Sequence, residues 1–147
     1  MIERTPNWRL RLLSWTSEVN GEPFEWGETD CGSLVRKACE RMYEEEIFPD
    51  VINYTTLRGA KRAWNETGGT AQKLKDIGAE EIDINFSQRG DIVITEEDEF
   101  DFYAAMVDVG QAGYIACAQD YGVVLLKRQD LPDDVYALRL PDESEVG

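Results

Sequence analysis

The residue of this chain best placed to do chemistry is Cys31, which follows Thr29-Asp30 and opens an apolar-periodic segment. Thr29 and Asp30 are both good helix N-cap residues. From Cys31 onward, Leu34, Val35, Ala38, Cys39 and Met42 recur at helical spacing, with Arg36, Lys37, Glu40 and Arg41 on the opposite face. Cys31 is therefore expected at a helix N-terminus, where unpaired N–H groups and the positive end of the helix dipole favour a thiolate. Facing inward, it also meets the opposite pressure, because apolar burial favours the neutral thiol. The chemistry open to such a thiolate is attack on an acyl carbon, which needs a base beside it and a proton for the leaving group. The chain contains no histidine. That removes the commonest general base and the commonest transition-metal ligand together.

Carboxylates are poor substitutes: Asp30, Asp108 or Asp120 close to Cys31 would disfavour its thiolate by like-charge repulsion. Three widely spaced cysteines without a CxxC pair fit neither a zinc site nor a disulfide framework, so reduced thiols and no metal or cofactor are expected. The acidic stretch from Thr95 to Asp101 lacks the Asp-x-Asp-x-Asp-Gly spacing of a calcium loop and reads as a solvated hairpin tip.

Asp and Glu number 30 against 15 for Lys and Arg, a formal net charge of -15, which repels nucleic acid and anionic membrane surfaces alike. The first residues, MIERTPNWRLRLL, carry arginines inside their apolar stretch and no small-residue cleavage site, so they do not read as a signal peptide. No run approaches the roughly 18 apolar residues of a membrane span.

Around Cys31 the pattern is helical in the first half. A helix from about Asn7 to Val19 carries Trp8, Leu12, Trp15 and Val19 on one stripe, with Leu13 beside it. Thr55 or Thr56 caps a third helix bearing Leu57, Ala60, Ala63 and Trp64, and Thr70 caps a short fourth with Leu74 and Ile77 inward. Beyond Ala79 the period shortens. Glu80–Ile84, Ile92–Ile94, Tyr103–Val109, Tyr114–Ala118, Val123–Leu126 and Tyr136–Leu140 read as strands joined by tight turns, an antiparallel meander. Helices first and strands afterwards predict an α+β domain over residues 1–140, N-terminal helices packed on a C-terminal antiparallel sheet of about five or six strands, with an acidic tail over 141–147.

The block Pro23, Phe24, Trp26, Gly27, Asp30, Cys31, followed by the turn Arg89-Gly90-Asp91 into Ile92-Val93, resembles the papain-like cysteine peptidases, and among them the NlpC-type cell-wall peptidases. The likeness spans roughly residues 22 to 126 and is nearest to the small phage tail-tip proteins of that fold, through the Trp-Arg-Leu of the first helix and Tyr54-Thr55-Thr56. The resemblance implies a papain-like, NlpC-type fold with Cys31 at the nucleophile position and Trp26 and Asp30 in the substrate groove. It puts Phe24 where the family has tyrosine, Ala104 where it has histidine, and Cys117 at the third polar position, close to Cys31 across the helix–sheet contact. It also implies assembly in the host cytoplasm into a virion tail tip, with hub and distal-tail proteins as partners and peptidoglycan as a further candidate ligand.

The departures bear on activity. Without imidazole nothing holds the thiolate or protonates a leaving amine, and such assistance is worth on the order of 10² to 10⁴ in rate. Phe24 lacks the hydroxyl that could help stabilise an oxyanion. Cys31 then has three readings: a small buried core residue, a working nucleophile, or a redox thiol; the missing base favours the first. Trp26 likewise reads as a packing residue over the helix start or as a substrate platform. The expectation is a structural tail-tip protein with a catalytically degenerate peptidase-like fold, against the alternative of an active peptidoglycan endopeptidase or amidase using Cys31.

Overall fold

The computed structural model describes residues 2–47, 55–67, 69–95 and 105–142. Four helices come first: α1 (Trp8–Val19), α2 (Cys31–Met42), α3 (Leu57–Thr67) and α4 (Gly69–Asp76). Six strands follow: β1 (Glu80–Asp83), β2 (Ile92–Thr95), β3 (Ala105–Asp108), β4 (Tyr114–Ala118), β5 (Gly122–Leu126) and β6 (Val135–Arg139). The chain is thus α+β, with N-terminal helices and a C-terminal sheet that is antiparallel throughout.

The two stripes read from the sequence are the core. Trp8, Leu12, Trp15 and Val19 of α1 and Cys31, Leu34, Val35, Ala38, Cys39 and Met42 of α2 are all buried, together with Ile92, Val107, Ile115, Val123 and Leu138 from the sheet. Helix α2 packs on α1 and on β3, and touches β4 beyond it. Leu13 departs from expectation: it stands on the outer side of α1, 54 % exposed, because the stripe through Trp8, Leu12 and Trp15 already fills the inward arc. Thr56 caps α3, its hydroxyl accepting the Gly59 N–H at 3.0 Å. Thr70 does not cap α4, which begins one residue earlier at Gly69. Ala63 and Trp64 lie outside the described side chains.

The strand order β1-β6-β2-β3-β4-β5 is not a simple meander. Strands β2 to β5 do run in sequence, but β6 returns across the sheet and inserts between β1 and β2, pairing Leu138 with Ile92 and Glu81. The insertion buries Ala137 and Leu138 completely, which local turn signals cannot foretell. The far edge strand, β5, is covered by the chain leaving α1. Gly21 N–H donates to the Val123 carbonyl at 3.0 Å, and Val123 N–H donates to the Glu22 carbonyl at 2.8 Å. Gly122 is needed there, because a Cβ at its φ of +74° would come within 2.5 Å of the Glu22 oxygen.

The two ends of the described chain meet. Arg4 bridges to Tyr43 and stacks on Trp8, its guanidinium carbon 4.3 Å from the ring centroid. The Tyr43 hydroxyl donates to the Pro141 carbonyl at 2.8 Å, and the Arg4 N–H donates to Asp142 at 3.1 Å. The chain is therefore tied down through Asp142; burial raises the Tyr43 phenol to about 12.

Candidate functional site

The segment held against β5 delivers the chain to the head of α2. Pro23 begins a compact turn in which the Thr29 hydroxyl donates to the Pro23 carbonyl and accepts the Glu25 N–H, both at 2.7 Å. Asp30 then occupies the N-cap position, but its side chain makes no cap bond to the helix backbone. It turns outward along the loop instead. Its Oδ1 accepts the Gly27 N–H and the Ser33 hydroxyl, each at 2.7 Å, with Asp30 only 4 % exposed. The carboxylate thus clamps the turn onto the first turn of α2 by local bonds of the Asx type.

Cys31 is the first residue of α2 and is buried at 6 % exposure. Cys117 in β4 is buried; Thr29 and Asp30 act on its thiol by a hydrogen bond and electrostatically, and the thiol donates to the Ala118 carbonyl at 4.0 Å. The residues that act on the Cys117 thiol are thus the two preceding Cys31. None of the three cysteines is in a disulfide. Burial pushes the Cys117 thiol up to about 11; Thr29 opposes that, and the Asp30 charge reinforces it. Cys39, two turns further along α2, is pushed up to about 12 by burial.

Phe24 and Trp26 are half-buried and meet edge to face, ring centroids 4.7 Å apart, with Phe24 resting on the main core. Trp26 is a partly solvent-facing ring beside the α2 head. Ala104, the position expected to stand for a histidine, lies outside the described residues, as do Tyr54 and most of the acidic stretch after Thr95. Strand β3, which starts at Ala105, runs beneath α2 and is buried along its length. Among the described residues, no group of three or more cysteines and carboxylates is arranged to hold a metal.

A second polar cluster, which the sequence shows only as a turn, lies at the Gly90-Asp91 corner. Asp91 is 1 % exposed and receives a two-pronged bond from Arg139 in β6, Nη2 to Oδ2 at 3.0 Å and Nε to Oδ1 at 3.3 Å, plus the Gln88 N–H. Beside it, Asp108 at the end of β3 accepts the Ser87 hydroxyl at 2.6 Å and the Gly110 N–H at 2.9 Å. Burial pushes the Asp108 carboxyl above its ordinary range, and the Asp91 charge adds to that. Gly90 has a φ of +91°, and a Cβ there would press on the Trp8 ring and the Arg4 guanidinium at about 3 Å, so this corner docks directly on α1. A signal existed in sequence, a Gly-Asp turn and an arginine closing the last strand, but the pair is separated by 48 residues.

Residues 3–133 match the family described as a domain of unknown function, DUF6950. The chain belongs to that family. Neither a curated protein nor a solved structure matches it. The matched span takes in every helix and strand up to β5, and with them both polar clusters, Arg139 excepted.

Proposed function

We propose that this DUF6950 chain is a structural component of a phage tail tip, built on a papain-like, NlpC-type layout whose cysteine no longer performs hydrolysis. The observation that carries this reading is the composition of the α2 head: Cys31, Cys117, Thr29 and Asp30 are buried together in a chain with no histidine. A cysteine hydrolase must gain a thiolate, and then deliver a proton to the departing amine. Here burial holds the second thiol protonated to about pH 11, and the nearby titratable group is a carboxylate whose charge opposes a thiolate. Phe24 supplies no hydroxyl where the peptidases carry tyrosine, so an oxyanion donor is missing as well.

The order of elements supports the layout: helices first, a cysteine opening a helix that packs on the sheet, and a Gly90-Asp91 turn into β2. In that role the protein acts by contact in the assembled virion, with hub and distal-tail proteins as its neighbours. Size-exclusion chromatography of the full chain with the hub and distal-tail proteins of the same phage tests this. Co-elution with either is the expected result; elution alone in every mixture would overturn the assembly role. The active alternative, a peptidoglycan endopeptidase or amidase, draws on Cys31 standing at a helix N-terminus, and is separable by its product.

A further inference from the structure

The two edges of the sheet are finished differently. At β5 the Gly21-Glu22 segment occupies the outer backbone groups of Val123. At the opposite end β1 pairs only with β6, and among the described residues no strand and no backbone hydrogen bond meets its outer side. An open edge is a template for another strand. Natural sheets blunt such edges with charge, and β1 is Glu80-Glu81-Ile82-Asp83.

More than bare exposure is present. Along β1 lies an open cleft of about 630 Å³, lined by Glu81, Ile82, Asp83, Phe86 and Arg139 among others. Phe86 leaves 70 % of its surface to solvent on the rim. Arg139 is bonded to Asp91 and to the Phe86 carbonyl, at 3.0 Å each, which offsets part of its charge while its side chain stays 35 % exposed. Glu81 and Asp83, two residues apart, project from one face of β1, and both are exposed.

We propose that the β1 edge is a docking strand for an extended, basic segment of a partner protein, added antiparallel or parallel to β1 by backbone bonds. Alternate lysine or arginine side chains of the guest face Glu81 and Asp83, and an apolar side chain beside them covers Phe86. Charge selects this occupant. A second copy of the chain would set its own Glu80, Glu81 and Asp83 against these, on a molecule of net charge -15. Nucleic acid and anionic lipid are repelled for the same reason. The inference stands on the sheet edge and does not depend on the tail-tip reading.

Fluorescence anisotropy of the full chain with a short labelled peptide alternating lysine and valine tests it. Saturable binding is expected, weakened about tenfold by the double change Glu81→Lys and Asp83→Lys and also by raised ionic strength. A peptide with proline at alternate positions and N-methylated lysines between them keeps the charge but cannot donate ladder bonds, and should not bind. Phe86→Ser changes an exposed side chain and should weaken binding several-fold without loss of fold, so the test survives if the charge reversal misfolds. No binding, equal binding of the proline peptide, no response to either protein variant, or a stable dimer that the peptide disrupts would each overturn the proposal.

Discussion

Asp30 and Asp91 occupy parallel positions: each is a buried carboxylate at the end of a turn, immediately before the element it introduces, α2 in one case and β2 in the other. Their surroundings differ in kind. Asp91 is met by the Arg139 guanidinium in a two-pronged bond, a full opposite charge on a strand 48 residues away. Asp30 is held by the Gly27 N–H and the Ser33 hydroxyl, both within three residues. The first arrangement fastens β6 to the β2 corner and stabilises the sheet. The second leaves a negative charge beside the Cys117 thiol and helps keep it protonated. A peptidase needs the reverse at its cysteine, a positive partner that favours the thiolate. At the corner a full opposite charge meets the carboxylate, whereas beside Cys117 the Asp30 charge works against a thiolate.

Breaking the corner should have the larger effect on stability. Arg139→Ala strands the Asp91 carboxylate in a site 1 % exposed; a loss of about 3 kcal/mol in urea unfolding is expected, the lower end of the range for a broken buried pair because the guanidinium is partly in solvent. Next comes alkaline pH. The Cys117 thiol has a folded value of about 11 against an ordinary 9.0, so the stability it contributes is complete below pH 9 and is lost as pH rises through about 11. That loss is on the order of 2–3 kcal/mol. Cys117→Ala should give a shallower decline over the same window by circular dichroism.

Thr29→Val should cost about 1–2 kcal/mol, since the Glu25 N–H and Pro23 carbonyl lose their partner. It should also raise Cys117 further, whereas Asp30→Asn should lower it; pH-dependent alkylation followed by mass spectrometry separates the two directions. The smallest effect belongs to Asp108. Its folded value lies above the ordinary 3.8, so its protonated form is favoured by folding: the contribution is present below 3.8 and fades as pH rises through the raised value. Asp108→Asn should abolish that mild acid-side gradient in unfolding free energy.

How much of this was legible before the fold follows from what each feature depends on. The α1 and α2 stripes were readable because a buried helix face repeats locally, and all ten of their residues named above are in the core. The α+β order followed from the change of period at Ala79. Three features were not readable: the insertion of β6 between β1 and β2, the bonding of Gly21-Glu22 to β5, and the Asp91–Arg139 pair. Each joins residues far apart in the chain, and no local pattern encodes the meeting. At the candidate site, Cys31 at the start of α2 and Asp30 before it were legible from cap chemistry, whereas the action of Thr29 and Asp30 on Cys117 joins residues far apart in the chain. What capping rules missed is the direction of the Asp30 side chain, which leaves the helix amides for Gly27 N–H because the glycine turn brings that donor within 2.7 Å.

We propose that Cys31, at the head of α2 in a chain with no histidine, no longer performs hydrolysis. Pure full-length protein and its Cys31→Ala variant, incubated with muropeptides between about pH 5 and pH 9 and followed by mass spectrometry, test it most directly. No new product from either protein is the predicted result. Product formed by the native chain and lost in Cys31→Ala would contradict it.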